Sequence, residues 1–549
     1  MMNEFGAPTR RHFLKTSAAA AAATLVGPFA MAEPPARWTR ANVTSPQGQK
    51  ALQTYQKAVI KMLSLPPGHP HNWFRNAFVH LMDCPHGNWW FYVWHRGYLG
   101  FFERTIRTVS GDQSFAIPYW DWTALPGIPS TMFGDGLTPK SPSFLPYNKD
   151  ITTFTNYFKA SLKKYWDTLN PAQRAQLKTR GYSDFDLLWN DVDGYDPKTK
   201  KVDTGNISFA ANSIARYPTT ANPNFPSNIA YDVSAPIISA GLSATKFVTP
   251  ISVAKDSFNS SKKASHNDAP GGKDSFFSTL EGFPHNNVHN YLGGAGATGY
   301  PANGPFGNMT NFLSPFDPIF FLHHANMDRL WDVWTQRQRQ AGRPFLPTGA
   351  DWTAYAKEPF LFFVDGDGHF VTNGKAEDFV STEPFGYSYT PGTGSAGLQG
   401  AAKNAAIGTV KTLIGSIKGN SATVELPADA VRSHLAQSGG PGLTALVTVP
   451  HPSNSPRSFD VIVGAPQGVT HFEPSSPYYA GTIAFFGSMG SMAGMDMDST
   501  FVVPLPHKPE LFSAAKTANG SVPLNIRVVP SNGGASAPSV LKGARVQLQ

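Results

Sequence analysis

Cysteine is nearly absent: the 549 residues contain one, Cys84. A single thiol excludes an internal disulfide even in an oxidising compartment, and it excludes metal sites built on paired thiolates. Charge is sparse too, with Asp, Glu, Lys and Arg making up 15% of the chain. The formal net charge is +8, yet the basic residues are scattered without a polybasic stripe, which argues against a nucleic-acid partner. Beyond the N-terminus no apolar run is long enough to span a bilayer, and no sequence repeat is visible. What is abundant is apolar and aromatic: 41% hydrophobic residues, with 39 Phe, 12 Trp, 50 Gly and 47 Pro. That composition fits a large-cored, loop-rich globular protein. At ~150 residues per domain, it holds two to four domains.

The N-terminus stands apart. Arg10 and Arg11 with Phe13, Leu14 and Lys15 precede a short alanine-dominated stretch, and Ala30-Met31-Ala32 closes it. This resembles a twin-arginine export signal over 1–32 with a small-residue cleavage site. The expected mature protein is periplasmic or secreted, with no membrane anchor after cleavage. Such a route carries folded proteins, which suits a metal loaded before export. Apolar spacing predicts helices over 48–64, 88–110 and 316–338. Residues 195–275 read as irregular surface. Seven short runs after 410, from "KTLIGSIKG" to "LNIRVV", are β-type and separated by turn residues. They predict a β-sandwich of ~130 residues. The expected organisation is a mainly α domain over 33–390, a glycine-rich linker over 391–415 and an all-β domain over 416–549.

Sixteen histidines need sorting. His285 and His289 are four apart, so on a helix they share a face and can grip one metal. His323 and His324 are adjacent and point apart, so at most one joins that site. Asp328 lies one turn beyond His324 and is placed to orient a ligand imidazole. His80, His86 and His95 form a second cluster. Two groups of about three imidazoles, without thiolate pairs or carboxylate runs, favour a borderline metal: copper, zinc or iron.

Four segments then carry a resemblance: "FVHLMDCPHGNWWFYVWHRGYLGFFER", "IPYWDW", "PHNNVHNYLGG" and "SPFDPIFFLHHANMDRLWDVW". In this order they resemble the copper-binding signatures of tyrosinases and related polyphenol oxidases, the type 3 copper proteins. The resemblance implies a four-helix bundle with a dinuclear site of two copper ions. It implies that His80, His86 and His95 hold one copper and His285, His289 and His324 the other, with His323 in support. Tyr387-Ser388-Tyr389 and Arg40 resemble a tyrosine motif and the arginine packed on it by cation–π contact. Cys84 and His86 have the Cys-x-His spacing that carries a thioether bond in fungal and plant relatives. The loop from Leu292 to Phe306, longer than in short bacterial relatives, borders the expected opening of the site.

The implied activity is oxidation of phenols by dioxygen, O2: ortho-hydroxylation of monophenols and oxidation of o-diphenols to o-quinones. Glu281 and Asn286 match the pair that holds a proton-accepting water. Phe320 matches the aromatic below the substrate ring, and Asn290 with Met309 to Leu313 is expected to shape the opening. The rivals are a catechol oxidase, an o-aminophenol oxidase and a haemocyanin-like oxygen carrier. A homo-oligomer is possible. The C-terminal region resembles the β-domain that keeps plant polyphenol oxidases latent. An aromatic from the run His471-Phe472 to Tyr478-Tyr479 is the expected plug. The Met489, Met492, Met495 and Met497 loop reads either as flexible apolar chain or as a transient Cu(I) site.

Overall fold

The computed structural model describes residues 37–549 except 194, 197–200, 203–214, 296–305, 397, 399–408, 437–441, 451–456, 467–471, 488–497, 517–519, 532–539 and 549. The export signal, most of the Leu292–Phe306 loop and the four methionines therefore lie outside the described residues.

Two of the expected helices stand close to their sequence bounds, Pro46–Ser64 and Phe91–Ser110, and the third spans Ile319–Gln340. The first starts where Ser45 accepts a hydrogen bond from the Gly48 N–H and Pro46 sits at the first turn. The second ends at Gly111, whose φ of 76° is the left-handed conformation that closes a helix. A helix over Phe74–Asp83 has nine of its ten residues buried and so shows no polar face to read. Three more helices, Ile151–Asp167, Pro171–Thr179 and Phe185–Asp193, cover one side of this core. The stretch read as irregular surface contains the helix Ala235–Leu242.

The C-terminal part is two five-stranded sheets. One runs Tyr479–Ala484, Ser458–Val463, Ser521–Pro530, Ser421–Pro427, Ser416–Lys418 in spatial order. The other runs Phe276–Phe277, Ser499–Pro504, Thr444–Val449, Gly543–Leu548, Lys411–Ile414. All seven β-type runs became strands, so the sandwich stands. Three details differ from expectation. Lys411–Ile414, placed in the linker, pairs with the last strand. A helix, Ala428–Ala436, makes the domain less than all-β. Phe276–Phe277, from the catalytic part, pairs in parallel with Thr500 and Phe501. The two parts thus share a sheet, and Ile237, Phe277 and Phe283 pack into the β-domain core.

Residues 390–395 are also not slack: the Thr390 N–H bonds the Arg40 carbonyl, and the Thr393 N–H bonds the Asp121 carboxylate. No described helix is long and apolar enough to cross a membrane.

Candidate metal centre

His80, His95 and His324 stand on the helices Phe74–Asp83, Phe91–Ser110 and Ile319–Gln340, His285 and His289 on the pair formed by Glu281–His285 and Asn286–Leu292, and His86 on the loop 84–90. Glu281–His285 is a π-turn containing Pro284. Proline cannot donate the helical bond, so the turn widens there, as such turns do near functional sites. The rings of His80, His86 and His95 form a near-regular triangle, with centroids 5.5, 5.7 and 5.6 Å apart. Those of His285, His289 and His324 lie 4.5, 5.1 and 5.3 Å apart. The triangles face each other, with His95 stacked on His324 at 4.2 Å and His86 5.6 Å from His285.

The imidazole tautomers follow from the hydrogen bonds. His80, His95 and His289 donate Nδ1–H to the carbonyls of Phe312, Phe91 and Met309, each at 2.7 Å. His285 Nδ1 donates to Asn286 Oδ1 at 2.8 Å. Each of these rings then turns an Nε2 lone pair inward. Nε2 of His80, His86, His95 and His285 is buried with no partner. The Nε2 atoms of His289 and His324 lie 3.0 Å apart. Buried acceptors left bare are costly, and a cation in each triangle satisfies them. Burial, helped in most by neighbouring imidazoles, pushes all six rings down, His80 and His285 to about 3, so they stay neutral and able to ligate.

Four histidines cluster on the second side, because His323 joins His285, His289 and His324. Its chemistry differs. Trp122 Nε1–H, which can only donate, bonds His323 Nδ1 at 2.9 Å. The neutral ring must then carry its proton on Nε2 and has no lone pair to give there. Cys84 is a buried free thiol whose Sγ is 3.6 Å from His86 Nδ1 and 3.5 Å from His80 Nδ1.

Asp328 requires a correction. It does not reach His324, whose Nδ1 has no partner. Its Oδ1 accepts from Arg96 at 2.7 Å, and its Oδ2 from Arg40, Tyr387 and Tyr389. Two arginines outcompete an imidazole for a buried carboxylate. Arg40 lies 3.6 Å above the Tyr387 ring, as the tyrosine motif suggested. Phe320 touches both triangles, 4.1 Å from His324 and 5.0 Å from His80. Met309 and Leu313 are wholly buried. Met309 contributes its carbonyl, and Phe312, between them, faces His86 at 5.5 Å.

The second correction concerns the plug. Tyr479 and Phe472 pack within the β-domain and its catalytic-side neighbour, on Tyr231 and Arg527. Phe486 instead enters the site, 4.4 Å from His289 and 4.6 Å from His86. Three asparagines hold its strand. Asn286, Asn287 and Asn290 donate to the carbonyls of Ala484, Thr482 and Phe485 at 2.7, 2.6 and 2.9 Å. Asn287 carried no sequence signal, because its role depends on a partner about 200 residues away.

Glu281 is fully buried, accepting from the Gly87 N–H at 2.6 Å and from Ser260 Oγ. Burial pushes its carboxyl up to about 8. A buried His266 was also missed. Its Nε2 lies 3.0 Å from Asp83 and its Nδ1 2.6 Å from Glu358. Asp83, beside Cys84, also accepts from Trp94, beside His95. One network therefore braces the first triangle from behind.

A family model described as the common central domain of tyrosinase matches residues 52–337, slightly more than half of the chain. The chain belongs to the tyrosinase family. That family carries dinuclear copper, and the two buried clusters able to hold a metal, His285 with His289, His323 and His324 and His80 with Cys84 and His86, fit it; the His95 ring lies 5.7 and 5.6 Å from those of His80 and His86. A second model, the twin-arginine translocation signal, matches residues 7–27 and indicates export. A polyphenol oxidase of Malus domestica is 26% identical over 352 residues, 61% of this chain and 45% of that protein. A tyrosinase of Hahella sp. is 28% identical over 319 residues, 56% of this chain and 47% of that one. The chain spans about half the length of these curated relatives. Among solved structures, latent aurone synthase covers 94% of this tyrosinase-family chain and 90% of its own, at TM-score 0.53 and 19% identity. Latent apple tyrosinase covers 94% and 98%, at TM-score 0.51 and 20% identity. Both share the fold of a helical catalytic core with a β-rich C-terminal domain.

Proposed function

We propose that this protein is an exported tyrosinase, hydroxylating monophenols and oxidising o-diphenols to o-quinones, and that its β-domain keeps it latent. The observation that carries the reading is Phe486: an aromatic ring already lies between the two triangles, in a space shaped for a phenol. His80, His86 and His95 would hold one copper and His285, His289 and His324 the other. Bound copper supplies the redox chemistry with dioxygen. The chain supplies the rest. Phe320 supports the substrate ring from below. Glu281, a carboxyl poised near neutral pH, is suited to take the phenol proton through a water held with Asn286. A thioether from Cys84 to His86 would fix one ligand ring.

In the closed form this machinery is engaged elsewhere. The Asn286 amide is bonded to the β-domain and Glu281 to Gly87 and Ser260. The fully engaged Glu281 favours a second reading, a catechol oxidase limited to diphenols. Copper analysis with oxygen uptake on tyrosine and on L-DOPA, before and after limited proteolysis followed by detachment of the β-domain in mild detergent, separates the two. Tyrosine hydroxylation after cleavage supports tyrosinase; L-DOPA oxidation alone supports catechol oxidase. Folded, copper-loaded enzyme active on neither overturns both.

A further inference from the structure

A cavity of about 250 Å³ opens between the catalytic part and the β-domain and shares no residue with the histidine site. Its apolar wall includes Ile237 from the helix Ala235–Leu242 and Leu443 and Leu505 from the β-domain. Lys255 lines it from the catalytic side, and Lys508 with His507 from the other. No Asp or Glu lines it among the described residues. Lys255 Nζ is matched, 3.3 Å from Asp256. Lys508 Nζ donates only to the neutral carbonyl of Ser476, at 3.1 Å, among its described contacts. The site therefore offers an apolar wall and one positive charge with no counter-charge among the described residues. Its volume lies just under the ~300–1,000 Å³ of sites for drug-sized ligands, so the occupant is small.

We propose that this cavity binds a small apolar carboxylate, and that the bound ligand clamps the β-domain in its closed position. A ligand touching both parts binds only the docked arrangement. Mass action then stabilises that arrangement as ligand exceeds its Kd. The clamping half rests on the latency reading above; the binding half does not.

The test uses full-length, copper-loaded protein and sodium octanoate below its micelle concentration, with octan-1-ol and octyltrimethylammonium as controls. Calorimetry is expected to show one octanoate per chain, weakened about tenfold or more in Lys508→Gln by loss of the charge-assisted contact and abolished in Ala240→Phe, which fills the cavity. Octan-1-ol binding as tightly as octanoate would overturn the proposal, as would wild-type binding in both variants. The clamp is read by hydrogen exchange at Thr482 to Phe486, which octanoate should slow in wild type and not in Lys508→Gln. Binding without slower exchange refutes the clamp. Should removal of the β-domain change no activity, latency fails and the binding curves still decide the site.

Discussion

Replacing Phe486 by alanine removes the ring that the β-domain, among the described residues, places between the triangles. The side chain is 5% exposed and packs on His289, His86, Phe312 and His285. Burying such a ring contributes ~1.5–3 kcal/mol, and ring–ring contact adds ~0.5–1.5 kcal/mol. Part of this returns when water refills the space, so the closed form should lose about 2–3 kcal/mol. That is a shift of about 30- to 140-fold in the closed-to-open ratio. The three asparagine bonds to the strand backbone survive the substitution, so the domain stays folded and attached. The assay is L-DOPA oxidation by full-length, copper-loaded protein without protease. The initial rate should rise by that factor, up to the ceiling set by enzyme lacking the β-domain. Phe472→Ala, against Arg527 and far from the triangles, should change nothing. A Phe486→Ala enzyme with full copper and a wild-type rate, beside a faster truncated enzyme, would refute the reasoning.

Glu281→Gln should lower tyrosine hydroxylation by ~10²–10⁴-fold while L-DOPA oxidation stays near wild type, measured on opened enzyme. Because burial raises this carboxyl, its basic form grows only as pH climbs through about 8, and the ratio of tyrosine to L-DOPA activity should climb with it. His80 and His285 are held near 3 in the fold against an ordinary 6.5, so the unfolded chain takes up protons first. Copper-free protein should therefore lose thermal stability as pH falls from 6.5 toward 3, and copper should raise the unfolding midpoint across that range without removing the slope. His266→Gln removes the charged partner of buried Asp83 and half-buried Glu358, each of which keeps other donors, and should cost ~1–3 kcal/mol, seen as a lower unfolding midpoint and poorer copper retention. The raised pKa of His266 makes its contribution complete below about 6.5, the ordinary value, and lost as pH rises through the folded value. If the thioether forms, denatured protein is lighter than its sequence by two hydrogens and Cys84 resists alkylation; a freely alkylated Cys84 in fully active enzyme excludes the bond.

His80, His86 and His95 were assigned through the family resemblance, whereas His285 with His289 and His323 with His324 were legible because their spacing is local: residues four apart on one turn, or adjacent, constrain direction without knowledge of the rest of the fold. Seven β-runs were legible for the same reason, since alternation and turn residues lie within each run. Asp328 shows the limit. Its spacing from His324 was read correctly, but Arg40, 288 positions away, decides where its charge goes. Phe486 was missed because "AFFGS" differs little from other strand ends; only docking against Asn286, Asn287 and Asn290 aims it inward. His266 was one lone histidine, and nothing local announces two carboxylates around it. The helix over Phe74–Asp83 escaped because burial on every side erases the periodicity that reveals a helix.

The short strand Phe276–Phe277 gives the β-domain a hold that does not run through the linker. Its ladder to Thr500 and Phe501 joins two stretches more than 200 residues apart, so cutting the chain near residue 400 severs no bond between them. Cleavage and departure are thus separate events, and a nicked protein should travel as one particle until something peels that edge strand away. Glu281 lies four residues after Phe277. Peeling the strand would release the backbone leading into the π-turn that carries Glu281 and His285, so the act that uncovers the site also loosens the segment on which one of its triangles is built.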